Sequence, residues 1–332
     1  MKRFNAIDVL KFFMSFFVVA IHTDADNGLI TRYICPLVVP MFFAISGFLL
    51  QEHINLKVMR TETEIYRGGI IKHYIKKLLF LYILWTAIYL PWSYYGYCIV
   101  EGKSFLRATA ILLRNIFVTG QNYMSWPLWY LWALIISVLM VGWLRRLKWS
   151  MGMIVLLGIL ANALGEWMNT VRADCDISWL SHLLEIYYAV FVNTMNGFFG
   201  GLGYVATGMW LSMSYGRCCR NDKLMVFFLV VAVALYASIP IGSKYVLCFF
   251  MLYLITKIQL DDRPCFLWFR KMSTWIYFAH MLFVAPVILW MPQVTPGVER
   301  WALSSFGVCI SGGILIALSR YPRLALLKRL VG

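Results

Sequence analysis

The chain has 332 residues, of which 61% are apolar, 17% aromatic and only 14% charged. An ordinary soluble domain is about 45–50% apolar and about 25% charged, so this much apolar side chain has no room in a water-soluble core of the same length. Low charge excludes disorder, modest Gly, Pro and Cys exclude a collagen-like or disulfide-stapled scaffold, and what remains is an integral membrane protein.

The formal charge of +15 does not point to nucleic acid, because Lys and Arg sit between apolar runs and form no stripe on a soluble face. The eight Cys are scattered without metal-ligand spacing, so no metal site is expected, and they read as packing residues. Cys218 and Cys219, in a short basic loop, form one candidate for membrane-proximal acylation.

A hydrocarbon core about 30 Å thick takes about 20 helical residues. Runs that meet or nearly meet that length are 7–25, 33–51, 76–98, 126–145, 151–167, 198–214, 224–240, 243–259, 272–291 and 301–319. The runs are continuously apolar and do not alternate, which predicts an all-α polytopic protein of about ten transmembrane helices rather than a barrel. The first run lacks a small-residue cleavage signal and reads as a retained span.

An even number of spans puts both termini on one side. With the N-terminus inside, only Arg32, Lys103, Arg107, Arg114, Arg172, Lys244 and Arg300 fall outside and Lys11 lies within a span. That bias places both termini in the cytoplasm. The chain reads as one transmembrane domain over 1–332, with a cytoplasmic loop at 52–75 and an extracytoplasmic loop at 168–197. Within the latter, His182 to Met195 reads either as an interfacial helix or as a solvated loop with a greasy side.

A charge at the bilayer centre costs at least roughly 2.5–3.5 kcal/mol, so each one inside a span needs a partner, a wet cavity or a function. In the first span Asp8 and Lys11 are three apart, on one helix face and able to interact. His22 lies on the same face about 16 Å higher. The alternative is that Asp8 and Lys11 snorkel while His22 ends the helix. His280 is a second intramembrane His, with Ser273 and Tyr277 on nearby faces, and the two His point to a polar cavity. Ser46 lacks the residues of a nucleophile elbow and reads as packing. Lys72, Lys76 and Lys77 crowd the inner end of the third span. They serve as a positive-inside anchor, as a mouth for a polyphosphorylated cofactor, or as both. Trp126, Trp129, Tyr130 and Trp132 form an interfacial belt or a stacking platform for a substrate.

These elements resemble the integral-membrane acyltransferase 3 family. The match rests on Asp8 to Lys11 and His22, on Val39 to Phe48, and on Lys76-Lys77 before Tyr82 and Trp85. It continues through Leu128 to Leu131, Phe198 to Gly208, and Ser273, Ile276-Tyr277 and His280. The resemblance implies ten helices in the cytoplasmic (inner) membrane. It also implies acyl-CoA, often acetyl-CoA, as donor, and transfer to a hydroxyl of a cell-surface glycan or lipid-linked sugar. By position His22 is the catalytic base, assisted by Lys11 and Asp8. Lys72, Lys76 and Lys77 hold the coenzyme, and Trp129, Tyr130, Tyr277 and His280 meet the acceptor. Lys11 stands where Arg is usual, and Lys lacks the bidentate fork of Arg. A proton-coupled transporter or solute-binding module would use the same intramembrane His and Lys.

Overall fold

The computed structural model describes residues 4–25, 28–61, 65–172, 177–214, 222–238 and 240–330. Among them there is no strand, in keeping with backbone amides that must find partners within their own segment in lipid. The helices are α1 (Asn5–Ile21), α2 (Cys35–Thr61), α3 (Ile65–Tyr94), α4 (Phe105–Val118), α5 (Trp129–Arg146), α6 (Met151–Val171) and α7 (Ser178–Phe191). The chain continues through α8 (Leu202–Ser214), α9 (Asp222–Ser238), α10 (Pro240–Lys257), α11 (Pro264–Ala279), α12 (Met281–Trp290) and α13 (Val298–Leu318). A short helical turn, Pro322–Leu330, follows α13.

Among the described residues, five helical segments are long and apolar enough to cross a membrane: Ile30–Lys57, Gly69–Val100, Trp126–Arg146, Met151–Val171 and Val298–Leu318. A sixth is the pair α11 and α12, bent by 40° where one gives way to the other. This is a multi-pass membrane architecture. Helices α1 and α8, at 17 and 13 residues, are shorter than the spans read from the sequence there, and α9, at 17 residues, begins and ends two residues earlier than expected.

Three segments depart from the sequence reading. The expected loop at 52–75 is largely helical, since α2 runs on to Thr61 and α3 starts at Ile65. Buried Ile54 and Ile70 give those extensions an apolar side. Gln51 donates to Asn55 (2.7 Å), Asn55 to Ser212 of α8 (3.2 Å), and Ser212 to Glu52 (2.7 Å), which ties the extension of α2 to the bundle. Helix α4 was not anticipated, because its 14 residues are too few to span and its Arg107 and Arg114 interrupt the apolar run. Helix α7 runs over Ser178–Phe191, against an expected 182–195, and seats Leu184 and Tyr188 on Met168 of α6. Asp174, Asp176, Cys218 and Cys219 lie outside the described residues.

The tightest helix pair is α2 with α8. A Cβ on Gly47 would collide with the backbone of Val205, and one on Gly208 with the backbone of Ala44. Mutual absence of side chains lets two helices approach where lipid supplies no hydrophobic drive of its own. This contact leaves the polar faces of α1 and α11 to meet each other on the other side of α2.

Candidate active site

Helix α1 carries the polar stripe from one end of the bundle to the other. At its start Asp8 is buried, but its partner is not Lys11. Arg270 of α11 grips the carboxylate, with Nε 3.0 Å from Oδ1 and Nη2 2.6 Å from Oδ2. A planar guanidinium matches a carboxylate with two parallel N–H bonds, which an ammonium three residues away on the same helix does not. The same end of α1 is fixed by Asn5, whose amide donates to Leu260 O (3.0 Å) and to Asp262 Oδ1 (2.8 Å). With Asp8 engaged by Arg270, Lys11 has Asp8, Arg270 and Lys77 as its electrostatic neighbours.

At the far end of α1, His22 occupies the C-terminal cap. Thr23 turns its buried hydroxyl back to Val19 O (3.0 Å), and Gly297 N–H donates to Thr23 O (3.1 Å). Gly297 has φ +121°, which glycine alone adopts freely, so this docking of the 291–297 loop on the end of α1 depends on it. Trp301 Nε1 donates to Phe16 O at 2.9 Å and ties α13 to the same turn. The cap is therefore held from three sides.

The structure brings His22 and His280 together. Their rings stack with centroids 5.3 Å apart and planes inclined by 24°. His22 also meets Trp126, 5.5 Å away at 32°. His280 is fully buried, whereas His22 keeps partial exposure and Trp126 lies open at the rim.

The break between α11 and α12 explains how His280 is oriented. Ending α11 leaves carbonyls of its last turn short of N–H partners, although Ile276 O still accepts from the His280 N–H at 3.2 Å. His280 Nδ1 lies 3.0 Å from Ile276 O and 2.8 Å from Tyr277 O, and the Tyr89 hydroxyl donates to Phe278 O at 2.6 Å. Carbonyl oxygens only accept, so Nδ1 bears the proton and Nε2 of the neutral ring is left as an acceptor. That Nε2 is buried and has no hydrogen-bond partner. A neutral ring in this state cannot donate to a developing oxyanion. It can accept from a hydroxyl.

The other residues expected at the site divide. Tyr130 and Tyr277 are buried and pack on each other (5.2 Å), with the Tyr130 hydroxyl 2.8 Å from Ser46 Oγ and donating to Phe42 O at 3.2 Å. Trp129 packs on Phe43 at 5.9 Å. These rings pack on one another and on Phe42 and Phe43, and the exposed ring next to His22 belongs to Trp126. Ser46 is engaged by Tyr130 and held in packing. Asp8 lies fourteen residues before His22, about 21 Å along a helix, so it anchors α1 and does not touch the imidazole. Lys72, Lys76 and Lys77 are exposed at the opposite end of the molecule from His22.

Hydropathy does not single out Arg270, because the apolar run begins at 272 and a charge just before it reads as part of a loop. The signal was there in Pro264, which starts α11 eight residues before that run. Three cavities, of about 520, 440 and 380 Å³, lie elsewhere, and neither His22 nor His280 lines any of the three.

The sequence model described as an acyltransferase domain, acyltransferase 3, matches residues 4–319. An amino-acid racemase of Enterococcus faecalis is 22% identical over 69% of this chain and 31% of its own length. A serine/alanine racemase of Enterococcus gallinarum is 25% identical over 85% of this chain and 41% of its own. The chain thus spans less than half the length of these curated relatives. No solved structure matches.

Proposed function

Because the chain belongs to the acyltransferase 3 family, we propose that it moves an acetyl group from cytosolic acetyl-CoA to a hydroxyl of a cell-surface or lipid-linked glycan. The observation that carries this reading is the stacked His22–His280 pair at the end of a polar stripe whose other end is basic. In this reading the helices cross the inner membrane ten times and both termini are cytoplasmic. The basic end, with Lys11, Lys72, Lys76 and Lys77, faces the coenzyme. The histidine end faces the acceptor, and the acyl-pantetheine arm bridges the two.

The chemistry follows from the residues. The His22 imidazole takes the acceptor's hydroxyl proton while that oxygen bonds to the thioester carbonyl carbon. The C–S bond then breaks, its electron pair leaves on sulfur, and the thiolate takes up the proton. General-base assistance of this kind is worth typically 10²–10⁴-fold. Trp126 and His280 both pack on the His22 ring, so the base is oriented before substrate arrives. His280 Nε2, an acceptor without a partner, receives a hydrogen bond from the acceptor.

The test compares surface glycans and glycolipids by mass spectrometry in cells carrying the wild-type gene, no gene, or His22→Ala. One acetyl ester is expected to disappear in the last two. An unchanged inventory counts against the reading. A second reading draws on the matched relatives being racemases: a solute-binding or transport module for amino acids. Saturable solute flux by protein that does not bind CoA would favour it.

A further inference from the structure

At the basic end, two pieces of chain far apart in sequence form one groove. Lys77, Phe80 and Leu81 come from α3, and Lys328 and Arg329 from the turn after α13. The groove holds about 380 Å³. Its wall is apolar and aromatic, and the Arg329 guanidinium sits 5.5 Å from the centroid of the half-exposed Phe80 ring. Lys77 is also within Coulombic reach of Lys11, which in turn has Arg270 as an electrostatic neighbour.

No described carboxylate pairs with Lys77, Lys328 or Arg329, and Asp8 is already held by Arg270. Gathering like charges without a counter-charge is unfavourable, and an anion in the groove reverses the sign of that interaction. A guest with several negative charges suits the three cations, and a flat ring suits Phe80. Arg offers planar bidentate recognition of phosphate and stacks on aromatic faces, Lys adds point charges, and Phe80 offers a π surface.

We propose that the C-terminal turn completes the donor site, with Lys328, Arg329 and Lys77 holding the 3′-phosphate of coenzyme A and Phe80 flanking the adenine. This rests on the acyl-CoA reading above and extends it to residues at the other end of the chain. The competing occupant is an anionic lipid headgroup, which shares the phosphate and the apolar neighbour but lacks the flat ring.

The test is binding of CoA and of dephospho-CoA to purified protein in nanodiscs of phosphatidylcholine alone, by calorimetry. Wild-type protein should bind CoA about tenfold more tightly than dephospho-CoA. The exposed double variant Lys328→Glu/Arg329→Glu should lose that preference while keeping the wild-type melting temperature. A variant that still prefers CoA as wild type does overturns the C-terminal assignment and leaves the donor reading standing. Wild-type protein that binds neither ligand defeats the donor reading, and the assignment with it. A variant with unaltered CoA binding that no longer co-purifies with phosphatidylglycerol makes the groove a lipid site and also overturns the assignment.

Discussion

His22 and His280 face each other as nearly parallel rings, 5.3 Å between centroids and 24° between planes. Rings stacked in this way do not hydrogen-bond to one another edge-on, and with His280 Nδ1 spent on backbone carbonyls it is His280 Nε2 that stays available to a guest. His22→Ala should lower acetyl transfer about 10²–10⁴-fold with the fold intact. Transfer and melting temperature measured on the same preparation check this.

The carbonyls of Ile276 and Tyr277 fix the proton of His280 on Nδ1. In ¹⁵N-His-labelled protein, one imidazole should therefore show the Nδ1–H tautomer, and its signal should vanish in His280→Gln. A His280 signal of the Nε2–H form contradicts the assignment. Glutamine keeps an acceptor near the Nε2 position while losing the ring. We expect His280→Gln to retain more transfer than His280→Leu, with the loss in the latter mainly in KM for the acceptor.

Breaking the Asp8–Arg270 pair should cost stability. Removing one partner of a fully buried ion pair costs about 3–5 kcal/mol. Here the Asp8 side chain is 6% exposed and the Arg270 side chain 44%, so solvent screens part of the interaction. Arg270→Gln should cost about 2 kcal/mol, read as a fall in melting temperature in detergent. The double variant Asp8→Asn/Arg270→Gln should recover part of it, because no unpaired carboxylate remains.

This pair also marks how far the sequence was readable. His22, His280, Asp8 and Lys11 stood out because ionisable groups are rare in apolar runs. Their partners did not, because each depends on packing between helices. Asp8 meets Arg270 rather than Lys11, and Trp126 rather than Trp129 or Tyr130 faces His22. The His280 tautomer depends on a helix break that a continuous apolar run from 272 to 291 conceals. Hydropathy likewise hides the helical character of 52–61 and 65–75, where charge reads as loop although Ile54 and Ile70 give each extension a buried side.

The α2–α8 contact predicts a sharp contrast between two glycines. Gly208→Ala places a methyl on the backbone of Ala44, whereas a Cβ on Gly313 of α13 meets nothing within 4 Å. Gly208→Ala should abolish accumulation of folded protein in membranes. Gly313→Ala should leave it unchanged or raise stability by up to about 1 kcal/mol, the helix-propensity difference. Yield and melting temperature of the two variants decide it.

The hydroxyl of Tyr89 satisfies Phe278 O at the end of α11. Tyr89→Phe leaves that buried carbonyl bare, at a cost of about 1–3 kcal/mol. Differential scanning fluorimetry should show the loss, with transfer per folded molecule reduced because the ring of His280 sits on the adjacent carbonyls.

Helix α12 has ten residues and rises only about 15 Å before Trp290, about half the depth of a hydrocarbon core. A bent pair yields first at its joint, whereas an unbroken helix must tilt as a whole. His280 stands at that joint, so any change in the 40° bend is felt first by the ring stacked on His22.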